Sequence, residues 1–135
     1  MRTYVKYKTD ISCAEYLLNP KITKYQRSVF SQLRTGGLQL EIEVGRYRNI
    51  AANNRYCKLC NDGSIEDEFH FIMQCVSYNS DRDTLYSKIC NIDTNFHNYT
   101  DETKFEILMK DYQNVISFYV CKIWKKRKHL LYNNI

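Results

Sequence analysis

Cys57-Lys58-Leu59-Cys60, followed by His70-Phe71-Ile72-Met73-Gln74-Cys75, decides how this chain is read. The spacing is Cys-x2-Cys-x9-His-x4-Cys, which gathers three thiolates and one imidazole into 19 residues. That donor set is what a closed, tetrahedral zinc site needs. The Cys-x2-Cys half lets two sulfurs grip one ion from a tight backbone curl, and His-x4-Cys suits about one helical turn. Shuffling six cysteines through this length gives some Cys-x2-Cys about one time in four, but adding His-x4-Cys lowers the odds to about one in a hundred. The competing reading is two buried thiol pairs beside a surface histidine. The metal reading is preferred, with Cys57, Cys60, His70 and Cys75 as ligands of one Zn2+.

Upstream, Ser12-Cys13-Ala14-Glu15 has the form of a capping box, and its short helix ends before Asn19-Pro20. Those two residues are expected to open the next helix, Asn as cap and Pro in the first position. Ile22, Tyr25, Val29, Phe30 and Leu33 then recur at helical spacing until Gly36-Gly37 stops the run, giving N-terminal helices over 12–35. From Leu38 to Val44 apolar and polar residues alternate, which suits a half-buried strand or equally a further helical turn.

Downstream of the metal segment (55–76), Ser80-x-x-Asp83 repeats the capping-box pattern ahead of a helix over 80–90. Phe105, Leu108, Met109, Tyr112, Ile116, Tyr119, Ile123 and Leu130 then form one stripe. This predicts a single helix over 101–131, about 45 Å long. Between Val115 and Trp124 it is apolar on nearly all sides and needs burial by its own domain or by a partner.

Four Gly and one Pro in 135 residues leave little material for strand-rich turns. The expected fold is mainly α: a small helical domain over 1–135, built around the Cys-Cys-His-Cys segment, with a long C-terminal helix. The opening Met1-Arg2-Thr3-Tyr4-Val5-Lys6-Tyr7-Lys8 lacks the apolar core of a leader, and no apolar run is long enough for a bilayer. An intracellular protein, nuclear or cytoplasmic, with reduced cysteines is expected. Cys13, Cys90 and Cys121 then read as apolar side chains. Formal charge is +5, which suits an acidic partner without identifying one.

Leu33-Arg34-Thr35-Gly36, Glu43-Val44-Gly45-Arg46-Tyr47, Arg55-Tyr56-Cys57-Lys58-Leu59-Cys60 and Ile65-Glu66-Asp67-Glu68-Phe69-His70-Phe71-Ile72-x2-Cys75 together resemble the tail of LINE-type (non-LTR) retrotransposon reverse transcriptases. The likeness is to the zinc-binding region after the polymerase, and Phe118 and Lys122 to Arg127 are similar to the closing segment. The resemblance implies a nucleic-acid-associated zinc module. The family's polymerase carries paired aspartates for two metal ions, and no Asp-Asp occurs here. The chain is also too short for a polymerase body, so it is not expected to be an enzyme. Nine residues between Cys60 and His70, with an Asp62-Gly63 turn, also separate it from the short viral zinc knuckle.

With four protein ligands no position is left for water, so the ion is expected to be structural. Tyr56, Leu59, Phe69, Phe71 and Ile72 are expected to pack around it, with base stacking as the other use of Tyr56 and Phe71. Glu66, Asp67 and Glu68 read as a solvated acidic turn capping the helix of His70, and Asp81 and Asp83 as serving the next helix's N-terminus. Arg46, Arg48, Arg55 and Lys58 are interleaved with Tyr47 and Tyr56, a mixture suited to phosphate contact and stacking. Lys122, Lys125, Lys126 and His129 are expected along one side of the last helix, with Arg127 and Lys128 nearby; Lys125, Lys126, Arg127 and Lys128 could bind phosphates, act as an import signal or form a solvated helix end, and His97 reads as exposed. The leading expectation is a noncatalytic module that binds RNA or DNA. The alternatives are docking onto a polymerase body or a second copy through Tyr119 and Trp124, and a decayed transposon fragment without function.

Overall fold

A computed structural model describes residues 14–132. They are mainly helical and contain no strand, only an isolated antiparallel bridge between Tyr56 and Ile65. The helices are α1 (Glu15–Leu18), α2 (Lys24–Thr35), α3 (Glu41–Tyr47), α4 (Asn79–Cys90), α5 (Asp101–Asp111) and α6 (Gln113–Tyr132). Single 3-10 turns lie at Ala52–Asn54, Val76–Tyr78 and Phe96–Asn98, and a π-helical turn at His70–Gln74. None of these helices is long and apolar enough to cross a membrane.

α6 is the central element, packing against α1, α2, α4 and α5. Its apolar stretch is covered largely from within: Ile116, Tyr119, Val120 and Ile123 are buried against Phe30, Leu33 and Phe71 of one continuous core. The Tyr119 hydroxyl donates to the Ile72 carbonyl at 2.9 Å, so this ring is committed to the interior. Phe118 remains exposed and Trp124 is half-buried, its ring edge-on to Phe71. Cys121 is buried and Cys90 partly so.

Several boundaries differ from the sequence reading. Ser12 and Cys13 lie outside the described residues. Asn19-Pro20 forms a turn in which Asn19 Oδ1 accepts from the Lys21 N–H, and α2 starts later. Its cap is Thr23, in a reciprocal capping box with Gln26. Gly36 closes α2 with φ 79°, where a side chain would be strained. Ser80 falls inside α4, whose preceding residue, Tyr78, makes no side-chain cap.

The alternating stretch is not a strand. Leu38 and Leu40 are buried, but so are Glu41 and Glu43, while Ile42 and Val44 are only half-buried in α3. The polar side of the alternation therefore faces inward, held by contacts described below. α3 also needs its glycine: a Cβ on Gly45 would lie 2.5 Å from Arg55 Cγ.

The long C-terminal helix is broken at Tyr112, whose φ, ψ of −125°, 40° leave the helical region. Thr100 caps α5, and the Tyr112 carbonyl accepts the first bond of α6 from the Ile116 N–H. No glycine or proline marks the break. It lets α5 pack on the His70–Gln74 turn, where Phe105 meets Phe69 edge-on at 5.4 Å, while α6 lies on α2 and α4.

Candidate metal centre

The first two ligands come from a short hairpin. The Cys57 N–H donates to Ser64 O at 2.9 Å and the Glu66 N–H to Arg55 O at 3.1 Å. Its tip turns through Asn61 (φ 54°) and Gly63 (φ 82°), and Asp62 Oδ1 accepts from the Ser64 N–H. The other two ligands come from the π-helical turn. Residues five apart on an α-helix point about 140° apart, too far to converge. The wider turn, closed by the Cys75 N–H donating to His70 O at 2.8 Å, brings them together.

The result is a four-donor cluster. One ligand atom from each of Cys57, Cys60, His70 and Cys75 lies within 4.8 Å of all the others, a set that could hold a metal ion. Cys57 Sγ and Cys75 Sγ are 3.9 Å apart, and Cys60 Sγ lies 3.4 Å from His70 Nε2. Cys57, His70 and Cys75 are buried, and Cys60 is partly exposed. Asp67 Oδ1 accepts from the His70 N–H at 2.8 Å and so caps the turn as expected.

Without an ion the cluster retains protons. The hydrogen bond with Cys75, and then burial, push the Cys57 thiol up to about 12, while the same contact takes Cys75 down to about 7. Burial raises Cys60. Burial disfavours the His70 imidazolium, but its bond to Cys57 and the negative charges of Cys57, Asp62 and Asp67 outweigh this and raise its pKa. A metal ion must displace these protons, so its affinity should climb as pH rises. Between about pH 6 and pH 8 we expect the apparent association constant to gain more than one power of ten per pH unit, because more than one proton leaves. Competitive titration with a chromophoric chelator measures this, and a pH-independent constant would count against a four-ligand site.

Around the cluster lie residues whose roles the sequence reading missed. Arg82 donates from Nε to Ile72 O (3.0 Å) and from Nη2 to Cys75 O (2.8 Å), satisfying carbonyls at the end of the π turn. Glu66 is 1% exposed, not a solvated acid. It accepts from Arg127 Nε at 2.9 Å, from Arg127 Nη2 at 2.7 Å and from the Glu41 N–H at 2.8 Å. One carboxylate thus joins the metal hairpin, the start of α3 and the end of α6, and lies 3.9 Å from Cys57 Sγ. Glu68 is likewise buried. Asp81, in the first turn of α4, has its carboxylate on Lys122 (3.2 Å) and Lys126 (3.0 Å). No short sequence pattern signals pairs separated by 61 or 45 residues.

The basic residues divide. Arg127 is corrected from a phosphate ligand to a buried ion-pair partner, 3% exposed; burial disfavours its charge, but Glu66 more than restores it. Arg55 donates to Ile50 O and Ile42 O and holds α3 to the hairpin. Arg46 pairs with Glu43 at 2.8 Å and lies over Tyr47. Lys125 lies over the Tyr25 ring, and Lys128 donates to the Tyr25 hydroxyl at 2.9 Å. Lys122 and Lys126 turn instead to Asp81, so the lysines of α6 do not share one side. His97 is exposed, as expected.

Arg48, Lys58 and Lys128 do come together. With Glu41, Val44, Trp124, Leu131 and Tyr132 they line a groove of about 600 Å3, with Arg127 in its wall. Phe71 is wholly buried, whereas Tyr56, expected to pack inward, is 48% exposed. Its hydroxyl donates to Asn54 Oδ1 at 3.3 Å. Compared with models of protein families, with curated proteins and with solved structures, the chain matches none of them.

Proposed function

We propose that this chain is a noncatalytic, zinc-stabilised helical module that binds nucleic acid, and that it derives from the tail of a LINE-type reverse transcriptase. Zinc is favoured by the donor set, since three thiolates and an imidazole suit a borderline-soft ion. The spacing favours it too. Zn–S near 2.3 Å and Zn–N near 2.0–2.1 Å in a tetrahedron require edges of about 3.8 Å between sulfurs and about 3.5 Å from sulfur to nitrogen. The observed 3.9 and 3.4 Å lie close to both. Four protein donors leave no open position for water, which supports a structural role.

The observation that carries the nucleic-acid reading is the groove beside the metal hairpin, where Arg48, Lys58 and Lys128 meet Trp124 and Tyr132. Cations supply phosphate attraction and rings supply stacking surface. Arg48 forms no ion pair or hydrogen bond through its side chain among the described residues. Docking through Tyr119 loses its support, because that ring is buried and bonded to Ile72.

Fluorescence anisotropy with a labelled oligonucleotide of mixed sequence tests this. Three phosphate contacts imply an affinity falling roughly twentyfold to fortyfold between about 50 and about 200 mM salt. The triple variant Arg48→Gln, Lys58→Gln, Lys128→Gln should abolish both the binding and its salt slope. Equal binding by the variant would remove the groove from the reading.

A further inference from the structure

A second groove, of about 350 Å3, also opens beside the metal hairpin. Its lining includes Arg48, Asn54, Arg55, Tyr56 and Lys58. The two grooves share Glu41, Arg48 and Lys58, so they meet along a common wall. Resting on the nucleic-acid reading, we propose that they form one track for a single strand, in which a phosphate sits at the Arg48–Lys58 junction and the flanking bases lie against Tyr56 and Tyr132.

The junction is suited to one phosphate. Among the described residues Arg48, exposed at the end of α3, forms no ion pair, and Lys58 makes a 3.4 Å contact with Glu41. The outer cations have other duties, Arg55 to backbone carbonyls and Lys128 to Tyr25. Exposed rings stand at the two ends: Tyr56 at 48% and Tyr132 at 66%. Both present ring surface to solvent. A face of this kind is useful to an unpaired base, which offers its own π-face whatever its identity.

Glu41 refines the choice of strand over duplex. Its Oε1 faces Lys58 and Arg127, and Oε2 makes no hydrogen bond among the described residues. A carboxylate at the shared wall repels a continuous line of phosphates but accepts from the N–H edge of a base. In a duplex the base faces are stacked on one another, so the tyrosines could not engage them. In a single strand both rings can meet a base face.

The test uses the zinc-loaded full chain and two labelled DNAs of about twelve nucleotides, one unpaired and one closed into a hairpin duplex. We expect the single strand to bind at least tenfold tighter. Tyr56→Ala and Tyr132→Ala should each weaken it roughly tenfold and leave the duplex unchanged, and Tyr→Phe at either position should restore it. Both tyrosines are exposed, and zinc content and thermal unfolding check that the variants remain folded. Equal binding of strand and duplex, or tyrosine variants without effect while Arg48→Gln weakens both, would overturn the track and leave the nucleic-acid reading standing. Failure of both DNAs to bind would overturn both. So would an acidic peptide, such as a short polyglutamate, binding as tightly as the strand, since charge alone would then explain the grooves.

Discussion

Cys75→Ser is expected to abolish zinc binding at micromolar metal and to remove the cooperative unfolding transition at ordinary temperature. The reasoning is one of magnitudes. A structural zinc site contributes on the order of 10–16 kcal/mol of apparent binding energy, whereas a domain of this size is stable by only about 5–15 kcal/mol. Cys75 is buried, and the turn that carries it also carries Phe71 and Ile72, both fully buried. When the ligand is lost, the reason for the wide π-helical turn goes with it. Arg82, which bonds the Ile72 and Cys75 carbonyls, then loses its partners. Native mass spectrometry should find one zinc in the wild-type chain and none in the variant. Circular dichroism should show the variant's helical signal reduced and its thermal transition broad. A variant that melts at the wild-type temperature would show the cluster to be four ordinary core residues.

Arg127→Met is the second large effect. It leaves the Glu66 carboxylate buried with no countercharge, and breaking one side of such a pair costs about 3–5 kcal/mol. In a chain of this length that corresponds to a fall in melting temperature of roughly 10–20 °C. The double variant Glu66→Gln, Arg127→Met should recover most of the loss. The amide keeps an acceptor for the Glu41 N–H while removing the charge that the methionine strands. Thermal melts of the two single variants and the double variant measure the coupling, and additive losses would deny that the pair acts as a unit. Zinc content should be retained in the double variant, since Glu66 lies 3.9 Å from Cys57 Sγ but is no ligand. A surface role for Arg127 predicts a melting temperature close to wild type.

Glu66 and Arg127 also show where local reading fails. Both sit in charged runs, Glu66-Asp67-Glu68 and Lys125-Lys126-Arg127-Lys128, which are ordinarily solvated. Nothing local distinguishes Asp67, which caps a turn, from Glu66, which is buried beside it. The same holds for Glu41 and Glu43: alternation reports that two faces differ, not which one points inward. Where a partner with opposite charge waits inside, the polar face is buried. The break at Tyr112 lacks a signal for a related reason. The apolar stripe continues across it, and only the separate positions of α2, α4 and the metal turn require two directions.

The sequence by itself determined the four donors of the Cys57, Cys60, His70 and Cys75 cluster, the helical character of the chain, the stop at Gly36 and the Asp62-Gly63 turn. These are set by donor chemistry, short spacing and backbone sterics, all of which act within a few residues. Tertiary structure alone decided that Arg127 faces Glu66, that Tyr119 bonds Ile72, and that Arg48, Lys58 and Lys128 border one groove. Burying a charge or shaping a groove depends on which surfaces meet, and chain folding brings those surfaces together from positions tens of residues apart.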